Sequence, residues 1–118
     1  MSKLPDVTLD RIFAAMERDT SPAMDTKTRV ALERLIQVAQ SDTGQSRHIA
    51  KLLLAWWDAG GSGGFDLTSF WNIDDELVID SLEVIKWVSG HRYYPDTLGY
   101  AKHFETIWKA WGSEESIH

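Results

Sequence analysis

Residues 52–71 read LLLAWWDAGGSGGFDLTSFW, and the rest of the chain is organised around this stretch because its densest apolar run breaks at four glycines and resumes at once. The apolar run indicates the end of a buried helix. Gly60 is a usual left-handed cap residue, so we expect this helix to end at Ala59. The chain then reverses, and the apolar segment after the glycine-rich hinge is expected to fold back on the helix.

The segment from Phe65 to Ile73 is compatible with two structures. Its apolar residues alternate in the manner of a strand, whereas Asp66 is also a good N-cap for a short turn of helix through Trp71. A lone strand needs a partner, and the sequence offers no second convincing strand. We therefore favour the helical turn.

Three helices are predicted before the hinge. The first is capped by Asp6 or Thr8 and stops near Asp19. The second begins at about Asp25 or Thr26. The third opens at Asp42 and Gln45, which resemble a capping box. Their apolar positions recur at helical spacing: Leu9, Ile12, Phe13 and Met16 in the first, Leu32, Leu35, Ile36 and Ala39 in the second, and Ile49, Leu52, Leu53 and Trp56 in the third.

A further helix is predicted from Asp74 to about Ser89, with Gly90 past its end. At about 100° per residue it has two separate faces. The apolar face is formed by Val78, Leu82, Ile85 and Val88, and the opposite stripe by Glu76, Asp80, Glu83 and Trp87. A solvated acidic face suits the helix dipole. Trp87 does not fit that simple interpretation, and it is either covered by this chain or anchors a partner.

The last helix runs from near Asp96 or Tyr100 to Trp111, and Gly112 ends it. Its apolar stripe is unbroken: Tyr100, Phe104, Ile107, Trp108 and Trp111. This stripe must pack on the rest of the domain or on a second copy, so a homodimer is one possible state. We expect one helical domain over residues 1–112 and a frayed tail over 113–118.

Composition places limits on both class and chemistry. The length of 118 residues suits one domain with a single core. The chain has no cysteine, which excludes disulfides and thiol catalysis. It shows neither a signal peptide nor an apolar run long enough to span a bilayer, so we place it in the cytoplasm without membrane contact. The net charge is −6, and the whole excess of acid lies in residues 65–118, which disfavours nucleic acid as a partner for that half.

The sequence contains no recognisable catalytic, cofactor or metal motif. The glycine loop follows a helix rather than a strand and has no Lys-Ser or Lys-Thr pair after it, so it is interpreted as a hinge rather than a phosphate cradle. His48, His91, His103 and His118 stand in no two-histidine metal spacing. We therefore predict no catalytic residue, no metal ligand and no cofactor.

These observations predict an all-α fold, a compact bundle of about five helices with a glycine-rich hinge and a short helical turn after it. The predicted core contains residues from every helix: Ile12, Phe13, Leu32, Leu35, Ile36, Leu53, Trp56, Leu82, Ile85, Phe104 and Ile107.

Several blocks resemble a family of small bacterial proteins with a domain of unknown function. They are Leu54-Ala55-Trp56-Trp57, Gly63-Gly64-Phe65-Asp66-Leu67-Thr68, Trp71-Asn72-Ile73-Asp74 and Tyr94-Pro95-Asp96-Thr97-Leu98-Gly99-Tyr100. Members are similar to reading frames on plasmids, integrated elements and phages. The resemblance covers about residues 30–111 and implies a mobile-element setting. It implies no activity and no cofactor.

Our first functional hypothesis is a non-enzymatic interaction protein of a mobile genetic element. It would act as an accessory factor or inhibitor that engages a host or element-encoded protein through Glu76, Asp80, Glu83 and Trp87. The alternative is a small DNA-binding regulator of helix-turn-helix outline in the first half, with Arg29, Arg34, Arg47 and Lys51. A further alternative is a cryptic enzyme or small-molecule binder at the hinge, which a closed pocket of His91, His103 and Asp96 would favour.

Overall fold

The computed structural model describes residues 24–112, which form four α-helices. They are α1 (Thr26–Ala39), α2 (Gly44–Ser62), α3 (Asp75–Gly90) and α4 (Ala101–Ile107). A 3₁₀ segment, Leu67–Asn72, lies between α2 and α3, and a π-helical turn, Trp108–Gly112, follows α4. Residues 24–112 contain no strand, and the predicted all-α bundle of about five helices is confirmed, since the four α-helices and the 3₁₀ segment make five. The predicted first helix, with Ile12 and Phe13, and the predicted tail over 113–118 lie outside the described residues.

The central helix of the bundle is α1. It begins at Thr26, within the predicted start at about Asp25 or Thr26, and Asp25 caps it by accepting hydrogen bonds from the hydroxyl and the backbone N–H of Thr28. These bonds favour the ionised carboxylate and hold the pKa of Asp25 below its ordinary value. The apolar stripe of α1 is buried, and the helix packs against both α2 and α3.

The two ends of α2 differ from the sequence prediction. Thr43, not Asp42, is the N-cap, and it forms a reciprocal capping box with Ser46. At the other end the helix passes through a kink at Asp58 and continues to Ser62, so Gly60 does not end it. Gly63 is the C-cap, with a φ of +94° that favours glycine. The predicted reversal at the glycines is correct, but it occurs three residues later than expected.

The segment after the hinge is the short helical turn that the sequence favours. Asp66 caps it through the backbone N–H and hydroxyl of Thr68, and the backbone bond contributes most to lowering the pKa of Asp66. Phe65 and Phe70 pack together with their ring centroids 5.1 Å apart. Trp71, which follows, points away from this pair into solvent.

The orientation predicted for α3 is wrong. Its buried face carries Asp80, Ser81, Val84 and Trp87, whereas the predicted core residues Leu82 and Ile85 are exposed. The inward polar groups are satisfied: Asp80 receives Arg34, and the Ser81 hydroxyl donates to the Leu77 carbonyl. Burial of polar groups is tolerated when each has a hydrogen-bond partner, so α1 can accept this face.

The aromatic stripe of the last helix packs within the chain. Phe104 and Ile107 are fully buried, and the Trp56 ring meets Phe104 edge-on at 5.9 Å. Trp108 contacts Trp57, and the Trp111 indole N–H donates to the Ala39 carbonyl at 3.0 Å. Of the two arrangements predicted for this stripe, the structure contains the packing on the rest of the domain.

Candidate protein-interaction surface

Two residues of the predicted partner-binding stripe are buried in the α1–α3 interface. Asp80 is only 5% exposed, and its carboxylate accepts hydrogen bonds of 2.8 Å from the Arg34 Nε atom and 2.7 Å from the Arg34 Nη2 atom. This bidentate geometry is the strong form of an ion pair. The hydrogen bonds and the charge of Asp80 raise the pKa of Arg34. Asp80 therefore holds α3 against α1 and is not presented to a partner.

Glu83 also faces α1. Its carboxylate accepts a hydrogen bond of 3.1 Å from the Thr28 hydroxyl and lies 3.7 Å from the Lys27 ammonium group. Its side chain is about one-fifth exposed (22%). Glu83 therefore joins α3 to α1, and only a small part of its side chain is open to solvent. It does not belong to an open acidic stripe.

Trp87 is covered by this chain, which answers the question that the sequence left open. It is 6% exposed, and its ring stacks on His91 with centroids 4.2 Å apart and planes at 1°. The His91 Nδ1 atom lies 2.8 Å from the Trp87 carbonyl oxygen. Of the four residues predicted to bind a partner, Glu76 alone is exposed.

A different set of exposed residues combines acid with aromatic surface. Trp71 is 83% exposed, and Leu67 on the same 3₁₀ segment is also open to solvent. The first turn of α3 follows with exposed Asp75 and Glu76, and Ile79, one turn further on, is 63% exposed. We call these five residues the acidic–aromatic surface.

The 3₁₀ segment is tied to the bundle near this surface. Gln45 of α2 accepts the Asp74 backbone N–H at 2.6 Å and donates to the Asp74 carboxylate at 3.1 Å. These two bonds fix the start of α3 against α2. Both bonds are made by Asp74, so the backbone between Trp71 and Asp75 is anchored at that residue.

The part of the chain that carries the acidic–aromatic surface is strongly acidic. Residues 65–85 carry six acidic residues and no lysine or arginine. An open cleft of about 330 Å³ lies beside Glu76 and Ile79 and is also lined by Leu77 and the Arg34–Asp80 pair. Because Arg34 is held by Asp80, the exposed carboxylates of Asp75 and Glu76 set the negative sign of this surface.

The residues proposed for a hinge pocket have separate partners. His91 stacks on Trp87, His103 lies 3.1 Å from the Gln40 side chain, and Asp96 accepts the Trp57 indole N–H at 2.7 Å. Across residues 24–112, no group of three or more His, Asp or Glu side chains is placed to hold a metal ion. After the hinge, Phe65 packs against Phe70, and Trp71 is exposed to solvent.

The two helices for which the sequence suggests a helix-turn-helix outline are α1 and α2, and three of their basic residues form hydrogen bonds within the chain: Arg29, Arg34 and Lys51. Arg34 is bound to Asp80, and α2 buries Ile49, Leu53 and Leu54 in the core. A recognition helix needs a polar face that enters the groove of DNA. The apolar character of α2 agrees with its interpretation as a core helix.

The sequence contains only a weak signal for Trp71 as a surface residue. Phe70 and Trp71 are adjacent, and neighbouring residues on a helical turn cannot face the same side. One of the two aromatic rings must therefore point away from the bundle. Which one does so depends on the packing of Phe70 against Phe65, and periodicity alone does not report that contact.

Comparison with known proteins finds a matching family model but no function. A family model described as "Family of unknown function (DUF7673)" matches residues 29–112. Searches of curated proteins and of solved structures find no match. No helix within residues 24–112 combines the length and the apolar character needed to cross a membrane.

Proposed function

Because the chain belongs to DUF7673, a family of unknown function, we propose from its surface that it is a non-enzymatic interaction protein, which binds a partner protein through the acidic–aromatic surface. The observation that carries the proposal is the 83% exposure of Trp71, which precedes two exposed carboxylates, Asp75 and Glu76, by four and five residues in the chain. Tryptophan is enriched among the residues that dominate binding energy at protein interfaces. Because the backbone that follows the ring is anchored at Asp74, little backbone entropy is lost when the ring binds.

The chemistry of the surface defines the partner. Trp71, Leu67 and Ile79 require an apolar pocket or groove, and Asp75 and Glu76 require lysine or arginine at its edge. Complementary charge of this kind speeds encounter and selects partners more than it adds affinity. The partner surface that fits is a basic protein face with an apolar centre.

The biological setting comes from the sequence resemblance. The Gly-Gly-Phe-Asp-Leu-Thr block and the Tyr-Pro-Asp-x-Leu-Gly block resemble small bacterial proteins of plasmids, integrated elements and phages. On this basis we assign the protein to a mobile genetic element, as an accessory factor or inhibitor whose target is a host or element-encoded protein in the cytoplasm.

The test is capture of a partner from a lysate of the organism that carries the protein. The bait is the full chain, and the surface variant combines Trp71→Ala with Asp75→Lys and Glu76→Lys. A matched control carries the same change of charge on exposed acids elsewhere, Asp42→Lys with Glu105→Lys. We expect the original and the control to capture the same protein and the surface variant to lose it.

Salt dependence gives a second arm of the same experiment. A contact that uses exposed carboxylates weakens as ionic strength rises, because charges further apart than about 8 Å are screened at physiological salt. Capture that is equal for the surface variant and the original, with both shown to be folded by circular dichroism, would refute the proposal.

A further inference from the structure

An open apolar groove runs between α2 and α3. Its volume is about 210 Å³. Apart from Ser89, the residues that line it are all apolar: Leu52, Leu53, Trp56, Val84, Ile85 and Val88. Both helices pack more closely on α1 than on each other, which leaves this space between them.

The apolar face of α3 continues from the groove onto the surface. Leu82 is 51% exposed and Ile85 is 39% exposed. At 100° per residue, Val78 and Leu82 lie within about 60° of Ile85 around the helix. Asp80 and Glu83, which contact α1, lie on the other side. Leaving such a row of apolar side chains in water forfeits the free energy that its burial would release.

The described chain begins beside α3. Met24 is buried, and the first turn of α1 lies against the second half of α3, where Thr28 donates to Glu83. At about 100° per residue, Ile85 in the wall of the groove lies about 160° from Glu83 around α3. The preceding residues therefore start about one helix diameter, ~10 Å, from the groove.

The N-terminal sequence has the length and the pattern to fill this groove. Leu9, Ile12, Phe13 and Met16 recur at helical spacing. Seven residues, 17–23, separate Met16 from Met24. Seven extended residues span up to about 24 Å, roughly twice the diameter of a helix. A segment of the same chain also acts at a high effective concentration, which favours it over a free competitor.

We infer that the groove between α2 and α3 is the docking site of this chain's own N-terminal segment, residues 6–19. The segment binds as an amphipathic helix with Leu9, Ile12, Phe13 and Met16 directed at Trp56, Leu82 and Ile85. The contact covers the apolar face of α3 and completes a core that residues 24–112 leave open on one side. It is independent of the acidic–aromatic surface, which lies on other residues.

Hydrogen exchange on the full chain tests this inference. We expect the amides of residues 9–16 to exchange at least about tenfold more slowly than in an unfolded chain, because an isolated helix this short is marginal and gains protection only by packing. Ile85→Glu places a charge in the groove and should abolish that protection. Ile79→Glu, on the same helix but outside the groove, should leave it unchanged. Protection of α1 amides reports that each variant is folded.

Absence of protection at residues 9–16 in the original protein would overturn the inference, as would equal protection in Ile85→Glu. Protection that disappears on dilution would also overturn it, because the groove would then hold a second copy.

Disulfide formation provides a second measurement. Since the chain has no cysteine, only the introduced pair can form a disulfide. Phe13→Cys with Ile85→Cys should form a disulfide within one chain, whereas Phe13→Cys with Ile79→Cys should not. Failure of both pairs alike would contradict the docking.

Discussion

The carboxylate of Asp80 receives two hydrogen bonds from Arg34 while almost none of it touches water. A carboxylate in that position depends on its partner, because a buried charge without one carries a large desolvation cost. The pair joins the middle of α1 to the middle of α3. It sets the rotation of α3 as well as its position, since only one face of the helix carries Asp80.

Replacement of this carboxylate tests that role. Asp80→Asn substitutes an N–H₂ group for one acceptor, which then faces the guanidinium N–H groups of Arg34. We expect the free energy of unfolding to fall by about 1–3 kcal/mol, the cost of leaving a buried polar group unsatisfied. Urea unfolding measures the change. Glu76→Gln, an exposed acid on the same helix, is the control and should stay within about 0.5 kcal/mol of the original. Equal losses in both variants would contradict the buried role of Asp80.

At the scale of the element, helix ends were predicted better where one side chain acts alone. Asp66 caps its helical turn as the sequence predicts, and α1 begins at Thr26, within the predicted start, with Asp25 as its cap, because an Asp N-cap needs only the backbone N–H groups that follow it. The C-terminus of α2 was misplaced because the sequence offers Gly60, Gly61, Gly63 and Gly64. Local preference does not choose among four glycines, and the helix continues past the kink at Asp58 to end at Gly63.

Replacement of Gly63, which caps α2, should therefore lower the free energy of unfolding, whereas replacement of a glycine that is not a cap should not. Gly63→Ala forces a side chain into the left-handed region, and we expect a loss of about 1–2 kcal/mol in the free energy of unfolding. Gly44→Ala is the control, because Gly44 begins α2 without a positive φ and has open space around it. It should be neutral or stabilise by about 0.4–1 kcal/mol. Thermal or urea unfolding of the two variants decides the matter, and a neutral Gly63→Ala would place the cap elsewhere.

At the scale of the whole molecule, tertiary packing sorts the tryptophans. The sequence does not show which of Trp71 and Trp87 is buried. Trp71 follows the apolar Phe70, and Trp87 is the last residue of the predicted stripe on α3. The structure buries Trp87 against His91 and leaves Trp71 in solvent. The interaction surface that we propose therefore lies on the 3₁₀ segment and the start of α3, and it shares only Glu76 with the stripe predicted from the sequence.

Truncation of Trp87 should destabilise the protein far more than truncation of Trp71. Trp87→Ala removes a buried ring, and we expect a loss of about 3–5 kcal/mol in the free energy of unfolding. Trp71→Ala should change stability by no more than about 0.5 kcal/mol. Urea unfolding followed by circular dichroism compares them. Trp87→Phe should show a smaller loss of the same sign, so the comparison stands even where the alanine variant does not fold. A large loss for Trp71→Ala would mean that this ring is part of the core.

Several features follow from the sequence by itself: the all-α class, the hinge at the glycines, the helical turn after it and most of the buried residues of α1, α2 and α4. These are local properties, because periodicity, caps and glycines act within a few residues. The rotation of α3 was decided only by tertiary structure. Its apolar stripe predicts that Leu82 and Ile85 are buried. In the structure, Arg34 and Thr28 of α1 instead bind Asp80 and Glu83, so the polar side of α3 faces α1. Hydrophobic periodicity measures how much apolar area a face carries, and it contains no information about which polar groups the facing helix can satisfy.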